Sequence, residues 1–514
     1  MSAQPDRRRR PKRQRPIRAR DRSIASLADE KSSPCPHDDN SHGAKRVRYS
    51  GPDLPEDVLG HIHSLMPLRD AARVACVSRI FLSSWRFRPN ITFSTETLGL
   101  DKNVDGEAKK NELAQDFTRK IDHILKNHSG VGLKALSIAF YYGYNADPSC
   151  YLNRWLEIAA TPTLEELTLW LPFNDKKHKF PCSFLSNGSG SSIRHLALSL
   201  CSFRPTVGLD HLRNLTRVHL SEVRITGDEL GCLFSRSLAL EQLQLRYCNQ
   251  IICLKIPCLL QRLSYVKVAG CSRLKLIEIK APNVSSFDFY HEYKQMAELS
   301  FQEPLQMKDL RVSRPGAIDY ALGKLPSIMP NLETLSLGSH WLVMNTPTAP
   351  RKFLHLKHLS LYVEASPAYD YLSLVSCLEA APSLETFNLA LPQQHKEINS
   401  IIGEDPSNLR KMFEHNHTKL KTVKITRFFS AKSLVELTCH ILENAPSLNH
   451  LTLDTTIGFP RSCATIGRCP TFGMDIMEGR RAVSAVQEYI QCKVPPTVKL
   501  HVVEPCSVCH PLEP

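Results

Sequence analysis

Long apolar runs are missing from this 514-residue chain. No uninterrupted stretch approaches the roughly 20 residues a helix needs to cross a bilayer, so no membrane partner is expected. The first 30 residues lack the apolar segment of about 7–15 residues that a secretory signal carries. Aromatic residues make up only 7% of the chain. Also absent are the G-x-x-x-x-G-K-[ST] and G-x-G-x-x-G loops that cradle phosphates and the H-E-x-x-H and G-x-S-x-G motifs of hydrolases. Nucleotide-dependent and hydrolytic chemistry are therefore not expected, and neither is any cofactor.

Cysteine is plentiful, with 17 residues. In a chain with no secretory signal these read as reduced, mostly buried thiols of an intracellular protein. The six Asn-x-Ser/Thr triplets, Asn90-Ile-Thr92 among them, then read as chance matches. Cys506-Ser-Val-Cys509-His510 has the spacing of a haem attachment or half a zinc site. A tetrahedral zinc site needs four ligands; there is no second Cys-x-x-Cys, and Cys463 and Cys469 are too widely spaced to complete one. No metal is expected.

Charge is unevenly distributed. The chain holds 65 Lys+Arg and 51 Asp+Glu, a net of +14, yet residues 1–50 alone hold 14 and 6, a net of +8. The remaining 464 residues carry +6, too little for a basic nucleic-acid-binding surface, so nucleic acid is not the expected partner. Residues 7–22 place ten cations against one acid, a composition that cannot bury apolar surface. Arg7, Arg8, Arg9, Arg10, Lys12 and Arg13, with Lys45, Arg46 and Arg48, have the pattern of a nuclear-import address. The expected location is nucleus and/or cytoplasm.

Composition changes at Asp53. Asp53-Leu54-Pro55-Glu56-Asp57 is a helix start, with proline in the first turn and two acids complementing the dipole. Val58, Leu59, Ile62, Leu65 and Met66 share one helical face until Pro67 breaks it. A second short helix carries Ala71, Ala72, Val74 and Ala75, and a third carries Ile80, Phe81 and Trp85. So little helix cannot form much of a core, and such a module should complete its burial on a partner.

The run LPEDVLGHIHSLMPLRDAARVACVSRIFLSSW, with RFRPNITFS after it, resembles the F-box of plant, particularly grass, proteins. The resemblance implies docking onto the Skp adaptor of a cullin–RING (SCF) ubiquitin ligase. By position, Leu54, Pro55, Ile62, Leu65, Pro67, Leu68, Val74, Val77 and Trp85 would form or support that contact. The alternative is that some of them, Ile62 and Val77 in particular, pack only within the module.

From residue 133 an apolar-x-x-apolar-x-apolar triplet recurs fourteen times, from Leu133/Leu136/Ile138 to Leu448/Leu451/Leu453. Most instances are 22–31 residues apart, close to a leucine-rich-repeat period. The last two apolar residues of each triplet lie two apart and face a core from a short strand, leaving their neighbours outward. The intervals allow the crossovers that parallel strands need. Two are plainly helical: Leu152, Trp155, Leu156 and Ala159 share a face, as do Leu434, Leu437, Ile441 and Leu442. Pro162, Pro382 and Pro446 each stand two residues before the next triplet. The intervals from 263 to 274 and from 274 to 284 are too short for helices and imply β-rich turns. Cys201, Cys248 and Cys271 share one repeat offset, where a buried thiol would cap a turn.

The expected fold class is α/β: a three-helix module followed by a solenoid with a parallel inner sheet and helices outside. Its parts are a basic tail at 1–49, the F-box at 50–95, a linker or helical cap at 96–130, the solenoid at 131–455 and a C-terminal cap and tail at 456–514. Residues 417–453 and 489–510 resemble the FBD segment and tail of plant F-box/leucine-rich-repeat proteins. The resemblance implies a non-catalytic substrate receptor, not an enzyme, with catalysis supplied by other subunits and an unknown protein client on the strand face. The alternative is a repeat scaffold without ligase activity. Among outward strand positions, Trp170, Arg217, Arg246, Tyr265, Lys267, Tyr290, Arg311 and Tyr362 are the candidate client contacts, since aromatic and Arg side chains dominate interfaces.

Overall fold

The computed structural model describes residues 54–100, 106–129, 132–139, 149–171, 178–186, 191–205, 212–291, 297–302, 306–342, 351–366, 369–391, 399–412, 416–456 and 473–505. The basic clusters at Arg7–Arg13 and Lys45–Arg48, Cys463, Cys469 and the Cys506/Cys509 motif lie outside these residues. The chain divides into two units, 1–54 and 55–514, and every described helix and strand belongs to the second.

Three short helices open it: α1 (Glu56–Leu65), α2 (Leu68–Ala75) and α3 (Arg79–Arg86). Pro55 and Pro67 occupy the N-cap positions of α1 and α2 in extended conformation, so Pro55 starts the first helix and Pro67 separates it from the second. Further along come α4 (Glu107–Asn127), α5 (Ser149–Ala159), α6 (Ser183–Ser186), α7 (Gly227–Arg236), α8 (Ala317–Ile328), α9 (Val375–Glu379), α10 (Lys432–Asn444) and α11 (Gly473–Ala485).

Fifteen strands, numbered with all others in chain order, form one parallel sheet. They are β1 (Asn90–Phe93), β2 (Ala135–Ala139), β3 (Glu166–Trp170), β5 (His195–Ser199), β7 (Arg217–Ser221), β8 (Gln242–Arg246), β10 (Tyr265–Ala269) and β12 (Ser286–Tyr290), continuing with β14 (Asp309–Ser313), β15 (Thr334–Leu342), β16 (His358–Ala365), β17 (Thr386–Ala390), β18 (Thr422–Thr426), β19 (His450–Asp454) and β20 (Lys499–Val503). Equivalent triplet positions pair in register: Leu243 lies opposite Val266, and Val266 opposite Phe287. That register follows from period-two burial. A slip of one residue would turn every buried leucine to solvent. Leu136, Leu167, Leu196, Val218, Leu243 and Val266 are all at most 1% exposed. The buried faces of α4, α5 and α10 join the same continuous core.

The sheet is longer than the triplet series at both ends. β1 lies in the segment read as the end of the helical module and pairs with β2. α4 spans the interval between them, in the segment read as linker or cap. β20 adds a strand beyond the last triplet.

Not every triplet lies on this sheet. Leu276 to Ile279 form β11, which pairs with β9 (Cys253–Ile256) and β13 (Glu298–Phe301) in a separate three-stranded parallel sheet. The Leu274/Ile277/Ile279 triplet therefore belongs to this second sheet, not to the inner one. The short intervals are the cause: an interval of about 10 residues cannot hold a crossover helix, so the return path is itself extended. β4 (His178–Lys179) and β6 (Cys201–Ser202) make a small third sheet.

Strand exits share one device. Leu200, Glu222, Tyr247 and Arg427 each follow a strand directly and have positive φ, as does Gly270 at φ +65°. The kink turns the next residue inward. At three of these exits that residue is Cys201, Cys248 or Cys271, each at most 1% exposed. Cys248 Sγ donates to the carbonyls of Arg246 and Leu220, and Cys271 Sγ to that of Ala269. Burial pushes the Cys271 thiol up to about 11, so it stays protonated and acts as a weak donor. Eleven of the cysteines, these three among them, are free thiols.

Candidate functional site

Two surfaces carry the chemistry, one on the helical module and one on the open face of the sheet. In the module the interior is organised by a polar residue. His63 is fully buried, with Nε2 2.9 Å from the Ala71 carbonyl oxygen and its ring 5.3 Å from Phe81 and 6.4 Å from Trp85. Leu68, Ala71 and Ala75 are buried with it, and Trp85 packs against the main core.

The apolar face of α1 points the other way. Val58, Ile62 and Leu65, at i, i+4 and i+7, are 38%, 43% and 72% exposed. Val77 is 83% exposed, and Ile80, Leu82 and Phe87 are exposed as well. Ile62 and Val77 are thus open to solvent and not packed only within the module. Of the remaining candidate adaptor residues, Leu54, Pro55 and Pro67 are exposed, Val74 is half-buried, and Leu68 and Trp85 face inward. Seven of the nineteen large apolar residues that are exposed among the described residues fall between 58 and 87. So dense an apolar exposure is the mark of a surface that completes its burial on a partner.

Arg88, which lies in the RFRPNITFS run but has no role assigned by it, joins this module to the sheet. It is buried, and its guanidinium donates to the carbonyl oxygens of His63, Ser64 and Met66 at the end of α1 and to Asn90 in β1. His128, just past α4, reaches the Arg88 carbonyl with Nε2 at 2.9 Å.

On the sheet, all eight candidate client residues point outward, as period-two alternation requires. Five of them, Arg246, Lys267, Tyr290, Arg311 and Tyr362, line a single hollow of about 1080 Å³. It lies over the C-terminal halves of β8, β10, β12 and β14 to β18, with a floor of small residues that includes Ser336, Gly338, Ser360 and Asn388. Tyr265 lies beside it, and its hydroxyl donates to Asp288 Oδ2 at 2.9 Å. Burial first, and then this hydrogen bond, pushes the Tyr265 phenol up to about 12. Trp170 and Arg217 are outside the hollow, and Arg217 reaches Glu166 at 3.4 Å.

Asp288 is the carboxylate at the centre of the basic end. It is 8% exposed and stands 3.8 Å from both Lys267 Nζ and Arg311 Nε. At the far end Glu364 Oε2 accepts from His340 Nδ1 at 2.9 Å, and His340 Nε2 lies 3.3 Å from Ser313 Oγ. His219, one strand before Arg246, is held below the usual histidine range by burial, then by the positive charges of Arg246, His195 and Lys267.

Sequence reasoning missed Tyr247, His340 and Glu364. Tyr247 lies past the end of β8, where strand alternation says nothing. His340 and Glu364 lie on β15 and β16, which run to nine and eight residues, with a register shift between Ser339 and Leu342. The triplet marks only the first five residues of each strand.

Residues 124–507 match the family model described as At1g61320/AtMIF1, LRR domain, and residues 52–91 match that of the F-box domain. Among Arabidopsis thaliana proteins, F-box/LRR-repeat protein At3g58940 is 26% identical over 124 residues, covering 24% of this chain but only 19% of its own length. F-box/LRR-repeat protein At3g59190 is 24% identical over 377 residues, covering 66% of this chain and 92% of its own. F-box/FBD/LRR-repeat protein At1g13570 is 22% identical over 422 residues, covering 79% and 91%.

Proposed function

The chain belongs to the At1g61320/AtMIF1 leucine-rich-repeat family and carries an F-box ahead of the repeats, and from that premise we propose that it is the substrate-recognition subunit of an SCF-type ubiquitin ligase. The F-box docks on a Skp-family adaptor and through it on the cullin–RING core. The open face of the sheet holds a protein client. The chain performs no bond chemistry itself; it raises the effective concentration of a client lysine beside the charged ubiquitin carrier.

The observation that carries this reading is the unpartnered apolar surface of the helical module, with Leu65 at the end of α1 at 72% exposure and Val77, past α2, at 83%. Each fully buried side chain of this size is worth about 1.5–3 kcal/mol, so covering them is a strong drive to associate. Co-purification with a Skp-family adaptor is the test. Wild type should retain the adaptor, and Ile62→Asp with Leu65→Asp should release it at unchanged melting temperature, because neither residue is buried. A wild-type chain that retains no adaptor leaves only a client-binding repeat scaffold.

Nuclear import is the second part of the proposal. Its support is the clusters Arg7–Arg13 and Lys45–Arg48. Residues 1–50 fused to a cytoplasmic reporter should carry it into the nucleus; a reporter that stays outside removes this part.

A further inference from the structure

The hollow on the open face is polarised, and its polarity selects a client. Arg246, Lys267 and Arg311 come from three different strands to one end of it. Asp288 is the carboxylate among them, and at 3.8 Å from Lys267 and Arg311 it is beyond hydrogen-bond distance of either. Arg311 also reaches Asp309 at 3.2 Å, whereas Arg246 has no carboxylate partner among the described residues. Two carboxylates against three cations leave one positive charge, with ammonium and guanidinium N–H groups still unpaired.

Glu364 marks the opposite end. Its Oε2 accepts from His340, while Oε1 has no hydrogen-bond partner among the described residues. From Asp288 to Glu364 is three strand spacings across the sheet, since the order is β12-β14-β15-β16. It is also four residues along β16, because Asp288 lies level with Arg311, Ser336 and Ser360. At about 4.8 Å per strand and 3.3 Å per residue, the two ends are roughly 19 Å apart. Roughly six residues of extended chain cover that distance. Between the ends the floor is made of small residues, and Tyr290 and Tyr362 stand exposed beside it. Tyrosines of this kind supply rigid contact area to an apolar or aromatic side chain.

We propose that the hollow captures an extended protein segment with an Asp or Glu side chain seated between Arg246, Lys267 and Arg311. A Lys or Arg of the same segment, about six residues away, pairs with Glu364, and apolar side chains between them lie over the tyrosines. The single excess positive charge matches a carboxylate rather than a doubly charged phosphate. This rests on the client-receptor reading and names the chemistry of its client.

The test is a selection from a library of randomised nine-residue peptides on the purified full-length chain, beside a second library containing phosphoserine. The retained pool should be enriched in peptides with an acid and a base about six positions apart. Arg246→Glu with Lys267→Glu should reduce capture of acidic peptides by about ten-fold or more. Glu364→Lys should remove the preference for the base and leave that for the acid. All these residues are on the outward face, and an unchanged melting temperature for each variant shows that the fold is kept. A pool without acidic enrichment, capture that ignores charge reversal, or a pool dominated by phosphorylated peptides would overturn the proposal. Adaptor capture is measured separately on the same samples, so a failed peptide selection with the adaptor retained counts against this inference alone.

Discussion

Arg88 caps the end of α1: its Nη2 lies 2.6 and 3.0 Å from the Met66 and Ser64 carbonyl oxygens, and its Nη1 3.1 Å from that of His63. No carboxylate pairs with it among the described residues. Its counter-charge is the negative end of the helix dipole, concentrated on these unsatisfied carbonyls, and burial holds the guanidinium below its ordinary value. Because its Nε also donates to the Asn90 carbonyl in the first strand, one side chain fixes the helical module to the sheet.

Arg88→Met should therefore destabilise the chain by about 3 kcal/mol or more, since each buried polar group left unpaired costs about 1–3 kcal/mol. Arg88→Lys should recover less than half of the loss, because an ammonium cannot span carbonyls on both sides as the planar fork does. Urea denaturation of the three proteins checks this. A cost for Arg88→Met below about 1 kcal/mol, the scale of a surface contact, would show that the clamp is dispensable.

Gly270 answers to two constraints at once. Its φ is +65°, and a Cβ there would stand 2.3 Å from Cε1 of the Tyr247 ring. Gly270→Ala should cost about 1–2 kcal/mol from the left-handed backbone and a further amount from moving the ring. The second part is separable: in a Tyr247→Ala background the same substitution should cost measurably less. Equal costs in the two backgrounds, read as a double-mutant cycle in thermal melts, would mean that the ring does not feel the added methyl group.

How much of this was legible in the sequence differs by element, for physical reasons. The triplets locate the inner strands because burial on one face imposes a period that no local choice can mask, as at Leu243 and Leu245. The three helices of the module are marked by Pro55 and Pro67, whose effect on the backbone is local. The direction in which α1 faces is not legible. Val58, Ile62 and Leu65 have the spacing of a core-facing stripe, and only the tertiary fold reveals that His63 takes the interior and the stripe is left outside. Arg88 was equally hidden, since carbonyl oxygens, which every residue possesses, are its partners. Half of the hollow was legible, where it coincides with strand alternation, at Lys267, Tyr290 and Arg311. The other half depends on how far β15 and β16 extend, which the repeat pattern does not encode.

Acid should weaken the fold before the carboxylates titrate. His128 and His195 are held below the ordinary histidine value chiefly by burial, and His219 by burial and neighbouring cations. A histidine depressed in the folded state binds its proton more readily when unfolded, so stability falls as pH drops below the unfolded value of about 6.5. The melting temperature should therefore decline from pH 7 towards about pH 5. His128→Asn should flatten part of that slope while lowering stability at pH 7, because the bond to the Arg88 carbonyl is disturbed. A melting temperature that is constant or rises over this range would contradict the assignment.

The FBD-like segment carries a test of its own. Helix α10 is buried almost all round, and Glu436 on it is 1% exposed. Arg410 answers that carboxylate with its backbone N–H, Nε and Nη2 at 2.9, 2.8 and 2.6 Å, and also reaches both oxygens of Asp370. With a carboxylate on either side, the guanidinium is held well above its ordinary value. Removing it with Arg410→Ala strands a buried charge, which costs about 3–5 kcal/mol. A surface ion pair would cost about 1 kcal/mol at most, so the size of the loss in urea denaturation separates the two cases. Replacing this pair, Arg410→Met with Glu436→Met, should restore most of the stability, because the fully buried carboxylate is gone and Asp370, whose side chain is 24% exposed, keeps its access to water. If the double variant is no more stable than Arg410→Ala, the loss comes from packing of the loop that carries Arg410, and the buried carboxylate is not its cause.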